Sequence, residues 1–380
     1  MRKIFKMAIL GLVGSLLGFV VSLNPKINLK AELPTVMPIS KEYYNGILRG
    51  YGDAEFQWGG FYFHSGIDIA TNVPNNSSDN IKTPVFAMRS GIIQEIGKDR
   101  IIIYVGSKTY DIYGHITDSQ VPIKSKVSPG DLIGYLAEKS EPGFMNIPHL
   151  HLMVTKEKRI KINKDLTYFD YFICPSENPL SLLIKSGLIK DEVNPILIHQ
   201  YDNPGSIDII SEKDGSVDKT ILPWKVKGKV DITARAADFM GQIGSFNEKE
   251  YLPGIAEIKY EIFDSKHDKI DEVWLLNQLN ENSNFHYALP GDYKSSDNFD
   301  TIRKSLMESY LAIFALGERE YQVKNNVYVL TNIIKGVPSK EGYWDTTILK
   351  NGSYTIKVTA YDLAKNNCSD SLEVLIDNEN

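Results

Sequence analysis

Cysteine is almost missing from this chain: Cys174 and Cys368 are the only two in 380 residues. A disulfide framework is therefore not indicated, and one bridge or two free thiols both stay open. Blocks of like charge are missing as well. The 42 basic and 48 acidic residues leave a formal charge of −6 without a long basic tract, which argues against a nucleic-acid partner. Between about Tyr43 and Lys161 no long helical pattern occurs. One long apolar run does occur, from Met7 to Leu23, behind the cations Arg2, Lys3 and Lys6. That layout reads as an export signal, on the border between a long signal core and a short membrane span. Residues 1–23 are thus expected to be a signal peptide or an N-terminal membrane anchor. No cysteine follows the run, so a lipoprotein attachment point is absent. The protein is expected to leave the cytoplasm for the periplasm, the cell envelope or the exterior.

What the chain does have is short strands. "TPVFAMRSGIIQEIG" and "RIIIYVGSKTYDIYGHI" are β-branched and aromatic runs broken by Gly, Ser and Lys, and "VSPGDLIGYLA" adds a Pro-Gly turn leading into a strand. Residues 40–162 therefore read as one antiparallel β domain, with "TNVPNNSSDNIK" as a surface loop. Residues 163–205 hold a helix at "NPLSLLIKSGLI" and then an Asp/Asn/Pro-rich linker. Residues 206–380 resume alternating strands in "KVDITARAADFMGQIG", "GIAEIKYEIFD" and "GSYTIKVTAYDLAKNNCSDSLEVLID", which suggests an immunoglobulin-like sandwich. Its middle, about 266–338, is expected to be a partly helical insertion, with a packed helix near Thr301–Leu316. The fold class expected is mainly β.

Seven histidines occur, and four fall in the first domain. "IPHLHLMV" places His149 and His151 two apart in an apolar strand, so both project from one face. Two imidazoles there carry a desolvation penalty unless they find partners. "FHSGIDIA" sets His64 four residues before Asp68, and "DIYGHI" puts His115 at a strand end. Zn²⁺ favours imidazole nitrogen and carboxylate oxygen, and a catalytic site uses three protein ligands with one open position. His64, Asp68 and one histidine of the 149/151 pair supply such a set. The other histidine of the pair, with His115, is then available for proton transfer. His199, His267 and His286 have no ligand spacing.

Taken in order, these motifs resemble the LytM/lysostaphin-type zinc endopeptidases that cut peptidoglycan, peptidase family M23. His64…Asp68, "TPVFA" at 83–87, "GII" at 91–93, "YGHI" at 113–116, "GDLIG" at 130–134 and "HLH" at 149–151 follow the family's series. The resemblance implies a Zn²⁺ cofactor held by His64, Asp68 and His151, and catalytic roles for His115 and His149. It implies peptidoglycan as the partner and a site in a groove over an antiparallel sheet. Three departures stand out: a long interval from Asp68 to Thr83, a single Gly143 before the final histidine pair, and a compressed approach to "YGHI". Two other readings follow from the same chain. In one, the domain is a non-catalytic activator or scaffold of a cell-wall amidase; in the other, the sandwich makes the protein a wall- or sugar-binding adhesin. "KEYYNGILRGYGDAEFQWGG", upstream of His64, is a candidate self-inhibitory strand.

Overall fold

The computed structural model describes residues 32–51, 54–57, 60–64, 66–72, 82–137, 148–155, 176–199, 205–212, 214–238, 254–276, 314–316, 323–334 and 337–378. The apolar N-terminal run, Cys174, and most of the expected helix near Thr301–Leu316 lie outside them. Among the described residues no helix is long and apolar enough to cross a membrane, and Cys368 is a free thiol.

The first domain is antiparallel β throughout. Its strands are β1 (Tyr44–Arg49), β2 (Ala54–Gln57), β3 (Gly60–Phe63), β4 (Ile67–Thr71), β5 (Pro84–Phe86), β6 (Gly91–Ile96) and β7 (Arg100–Gly106). They continue with β8 (Thr109–Gly114), β9 (Ile116–Thr117), β10 (Lys126–Val127), β11 (Leu132–Leu136), β12 (His149–Thr155) and β13 (Ser176–Glu177). An eight-stranded sheet runs β1-β4-β12-β8-β7-β6-β10, with β13 also pairing β12, and a three-stranded sheet runs β5-β11-β9.

Alternation along these strands decides what the large sheet carries on each face. Ile67, Ile69, Leu150, Leu152, Val154, Tyr113, Ile101 and Ile103 point to one side and join Val85, Ala87, Ile133 and Leu136 of the small sheet in the main core. The residues between them point the other way. There Ile102, Ile112 and Met153 form a separate small apolar cluster, and Asp68, His149 and His151 lie on the same side. Beneath the sheet, Tyr113 Oη accepts from Met88 N at 2.9 Å, and the buried Arg89 pairs with Asp111.

Helix α1 (Pro179–Lys185) follows, as the sequence predicts. Asn178 caps it, its side chain accepting from Leu180 N, and Pro179 starts it where a missing N–H costs nothing. The second region contains β14 (Ile196–Leu197), β15 (Ile207–Ser211), β16 (Ser216–Asp218), β17 (Trp224–Lys227), β18 (Lys229–Ala237), β19 (Glu257–Phe263) and β20 (Lys269–Leu276). After these come β21 (Phe314–Leu316), β22 (Val323–Val329), β23 (Ile333–Ile334), β24 (Val337–Pro338), β25 (Trp344–Asp345), β26 (Gly352–Tyr361) and β27 (Asn367–Ile376). One six-stranded sheet centres on β18, which pairs β14, β15, β22 and β25; the other runs β16-β17-β27-β26-β19-β20.

Within the stretch 266–338, β20 pairs β19 over its length and β22 pairs β18. Both strands therefore belong to the sheets themselves. Phe314–Leu316, the end of the expected helix, is strand β21 paired to β22. A 3–4 apolar spacing over a short β-prone run such as "AIFAL" suits either structure, and here pairing with a neighbour decides.

Candidate active site

Three register pairs build the site. His151 lies opposite Asp68 on β4 and opposite Gly114 on β8, and His149 lies opposite Ala70. Directly paired residues share a face, so β4 and β12 deliver one carboxylate and two imidazoles to the same spot. His64 enters from the turn after β3. Gly66, between His64 and Asp68, lets that turn press on β12, since a Cβ there would sit 2.3 Å from Leu152 O. Gly114 leaves room beside His151, whose Cβ would be 3.2 Å from an added methyl.

The expected ligand set converges. His151 Nδ1 lies 2.9 Å from Asp68 Oδ1, and His64 Nε2 lies 3.1 Å from His151 Nδ1 and 3.2 Å from Asp68 Oδ1. Four-coordinate zinc with bonds of 2.0–2.1 Å separates its ligand atoms by about 3.3 Å, so the donor set fits the ion. His64 Nδ1 donates to Gly50 O at 2.8 Å, which leaves Nε2 with a bare lone pair facing the other two donors. His151 Nε2 is buried without a hydrogen-bond partner, so the polar contacts of that ring run through Nδ1.

The other two histidines stand beside this set. The rings of His115 and His149 approach edge to face with centroids 4.7 Å apart, and His115 lies 6.2 Å from His151. Asp68 Oδ2 is 3.8 Å from His149 Nε2, so the carboxylate faces both groups. All five side chains predicted from the sequence meet here.

Burial alone would raise the Asp68 carboxyl. The imidazoles of His64, His149 and His151 around it instead hold it well below the usual carboxylate range. Burial, reinforced by His149 and His151, pushes His115 down to about 3, so its ring is a neutral proton acceptor at pH 7. Burial likewise lowers His151, against the pull of Asp68. His115 sits at φ 60°, the left-handed region that a non-glycine residue enters at a cost of about 1–3 kcal/mol and that recurs at functional sites. That turn swings its ring back over β12 at the point where β8 ends.

Gly50 is the participant that motif reading misses. It acts through a backbone carbonyl, which any residue type offers, so no side-chain pattern marks it. Residues 73–81 and 138–147, where the chain departs from the family pattern, lie outside the described residues.

An antiparallel sheet presenting His64, Asp68 and His151 as donors that could hold a metal ion, beside two further histidines, is a candidate metal centre. Residues 62–163 match the family model described as Peptidase family M23, so this segment is an M23-type domain. The match leaves most of the chain, including the whole second region, uncovered. The catalytic domain of the antimicrobial peptidase lysostaphin from Staphylococcus simulans is similar at 24% identity, over 37% of this chain and 92% of that one, with a TM-score of 0.26. The catalytic domain of the prophage-encoded M23 protein EnpA from Enterococcus faecalis, solved as a point mutant, is similar at 19% identity, over 38% and 94%, with a TM-score of 0.25. The deep-sea M23 metalloprotease pseudoalterin is similar at 18% identity, over 35% and 73%, with a TM-score of 0.26. No curated protein matches the chain.

Proposed function

We propose that this chain is an exported zinc metalloendopeptidase that hydrolyses peptide bonds in the stem or cross-bridge peptides of peptidoglycan. The observation that carries the proposal is the convergence of His64 Nε2, Asp68 Oδ1 and His151 Nδ1 within 3.2 Å of one another, beside His115 and His149. Zinc, when bound, acts as a Lewis acid and lowers the pKa of water toward about 7. His115, neutral and half-buried against His149, accepts or returns a proton at a ring nitrogen. Asp68 holds the two imidazole groups in register by facing both. Burial of the cluster keeps bulk water from screening the charge that develops there. The intact five-residue set supports catalysis over a purely scaffolding role, and the apolar run behind Arg2, Lys3 and Lys6 supports export.

The test is incubation of the chain, with one equivalent of zinc, with purified peptidoglycan, followed by mass spectrometry of released fragments. A His149→Ala chain runs beside it. Zinc-dependent fragments absent from the variant are the expected result, and their termini name the bond. Stoichiometric zinc without fragments would favour the activator role, and failure to bind zinc would remove the site.

A further inference from the structure

The family match begins at residue 62, yet the chain before it enters the site. We infer that residues 32–50 are a structural part of the metal centre, with the Gly50 carbonyl as the positioning acceptor that fixes the orientation and tautomer of His64. The inference rests on the zinc reading proposed above. For Lys41–Gly50 it replaces the self-inhibitory role considered for the segment that begins at Lys41.

The hydrogen bond at stake is short and enclosed. Gly50 O and His64 Nδ1 are 2.8 Å apart in a buried setting, with His64 4% exposed and Tyr51 6% exposed. A carbonyl can only accept, so Nδ1 carries the hydrogen and Nε2 is the bare nitrogen. Without that acceptor the two neutral tautomers of His64 would compete, and the Nε2–H form would aim a proton at Asp68 and His151, where a cation belongs. A second hydrogen-bond partner of this kind is the usual means of orienting a metal-ligating imidazole.

The carbonyl is held from two directions. Strand β1 pairs β4 through Tyr44–Thr71, Ile47–Ile69 and Arg49–Asp68, so Gly50 follows directly on the residue opposite a ligand. Further upstream the segment crosses to the small sheet. Phe86 N donates to Pro38 O at 2.9 Å, Thr35 N donates to Met88 O at 3.1 Å, and Ile39 bridges Val85. Arg89 Nη1 donates to Glu32 O at 3.1 Å. Ile39 and Ile47 are 0% and 1% exposed. A detachable inhibitory leader would lie over the core and leave it intact when removed. This segment instead contributes the buried apolar side chains of Ile39, Ile47 and Leu48 and one sheet edge, and its departure would open both core and edge.

Two measurements on the full-length chain decide the matter. The first is a long-range ¹H–¹⁵N correlation spectrum of the imidazoles in zinc-free protein, with His64 assigned by the signals lost in His64→Gln. An Nδ1–H ring with Nε2 bare is expected; an Nε2–H ring would overturn the inference. The second replaces the Gly50–Tyr51 amide by an ester, installing Tyr51 as its α-hydroxy acid, which weakens the Gly50 oxygen as an acceptor and keeps every side chain. Zinc should bind about tenfold more weakly, the lower end of the range for losing such a partner, while an ester replacing the Thr220–Ile221 amide, at an exposed turn of the second region, should leave the affinity unchanged. Equal zinc affinity in the Gly50 ester and the parent chain would refute the positioning role. A parent chain that binds no zinc would refute the proposed function instead, and the tautomer result would still stand on its own.

Discussion

Replacing Arg89 by methionine should destabilise the first domain by about 4 kcal/mol at pH 7. Arg89 and Asp111 are 4% and 0% exposed at their side chains; Arg89 Nε donates to Asp111 Oδ2 at 3.0 Å, and Nη2 donates to Oδ1. Burial pushes the Asp111 carboxyl up, Arg89 pulls it part of the way back, and Glu177 adds a further push upward. Without the guanidinium, Asp111 must either remain a lone buried charge or take up a proton. Carrying a proton at pH 7 on a group whose unfolded pKa is about 3.9 costs about 4 kcal/mol, and the cost falls by about 1.4 kcal/mol per pH unit. A folded pKa raised above the unfolded one means stability present in acid and lost as pH rises. The deficit should therefore shrink to about 1.5 kcal/mol at pH 5. Arg89→Met combined with Asp111→Leu should recover most of the loss, because the charge is removed along with its partner. Urea unfolding read domain by domain through hydrogen exchange of β7, β8 and β12 measures all three chains. A single variant within about 1 kcal/mol of the parent, a pH-independent deficit, or a double variant no better than the single would refute the reasoning.

His151→Ala should abolish stoichiometric zinc binding, whereas His149→Ala should keep the ion and lose at least about 100-fold in peptidase rate; zinc analysis with a fragment assay separates them. Zinc at about 100 times its Kd should stabilise the first domain by about 2.7 kcal/mol and leave the second unmoved, so a calorimetric shift shared by both domains would contradict a site confined to β4, β12 and His64. Gly66→Ala should cost about 1–3 kcal/mol because its methyl meets Leu152 O, readable as a lower urea midpoint together with weaker zinc binding. In the second region burial, with Glu212, pushes Asp231 up to about 7 against the Thr331 hydroxyl, and in the segment that precedes it burial with Asp362 pushes Asp191 up to about 6. Both folded pKa values lie above the unfolded one, so the stability these two groups contribute should be fully present below about pH 4 and be lost as pH rises to about 7. Asp231→Asn should flatten that profile, and an unchanged slope would exclude Asp231 as its source.

How far the sequence discloses the site depends on what kind of group acts. His149 and His151 are legible because a strand repeats every two residues, and two polar rings in an apolar strand demand partners. Asp68 is legible by its spacing from His64, although its place opposite His151 is a register that only pairing creates. Gly114 looks like a turn residue, yet it ends β8 as the gap beside the His151 ring. The left-handed turn at His115 carries no marker of its own, since no glycine stands there to announce it. Gly50 is the extreme case: it contributes an atom every residue owns, from 14 positions before the ring it holds. The same divide runs through the fold. Helix α1 announces itself by Asn178, Pro179 and Gly187, all local signals. Strand β21, in contrast, exists only because β22 lies beside it. Side chains that do chemistry leave patterns in the chain, whereas the backbone groups and long-range pairings that aim them do not. A motif match that starts at residue 62 therefore marks where the recognisable side chains begin, and the working unit extends upstream to the strand that holds His64 in place.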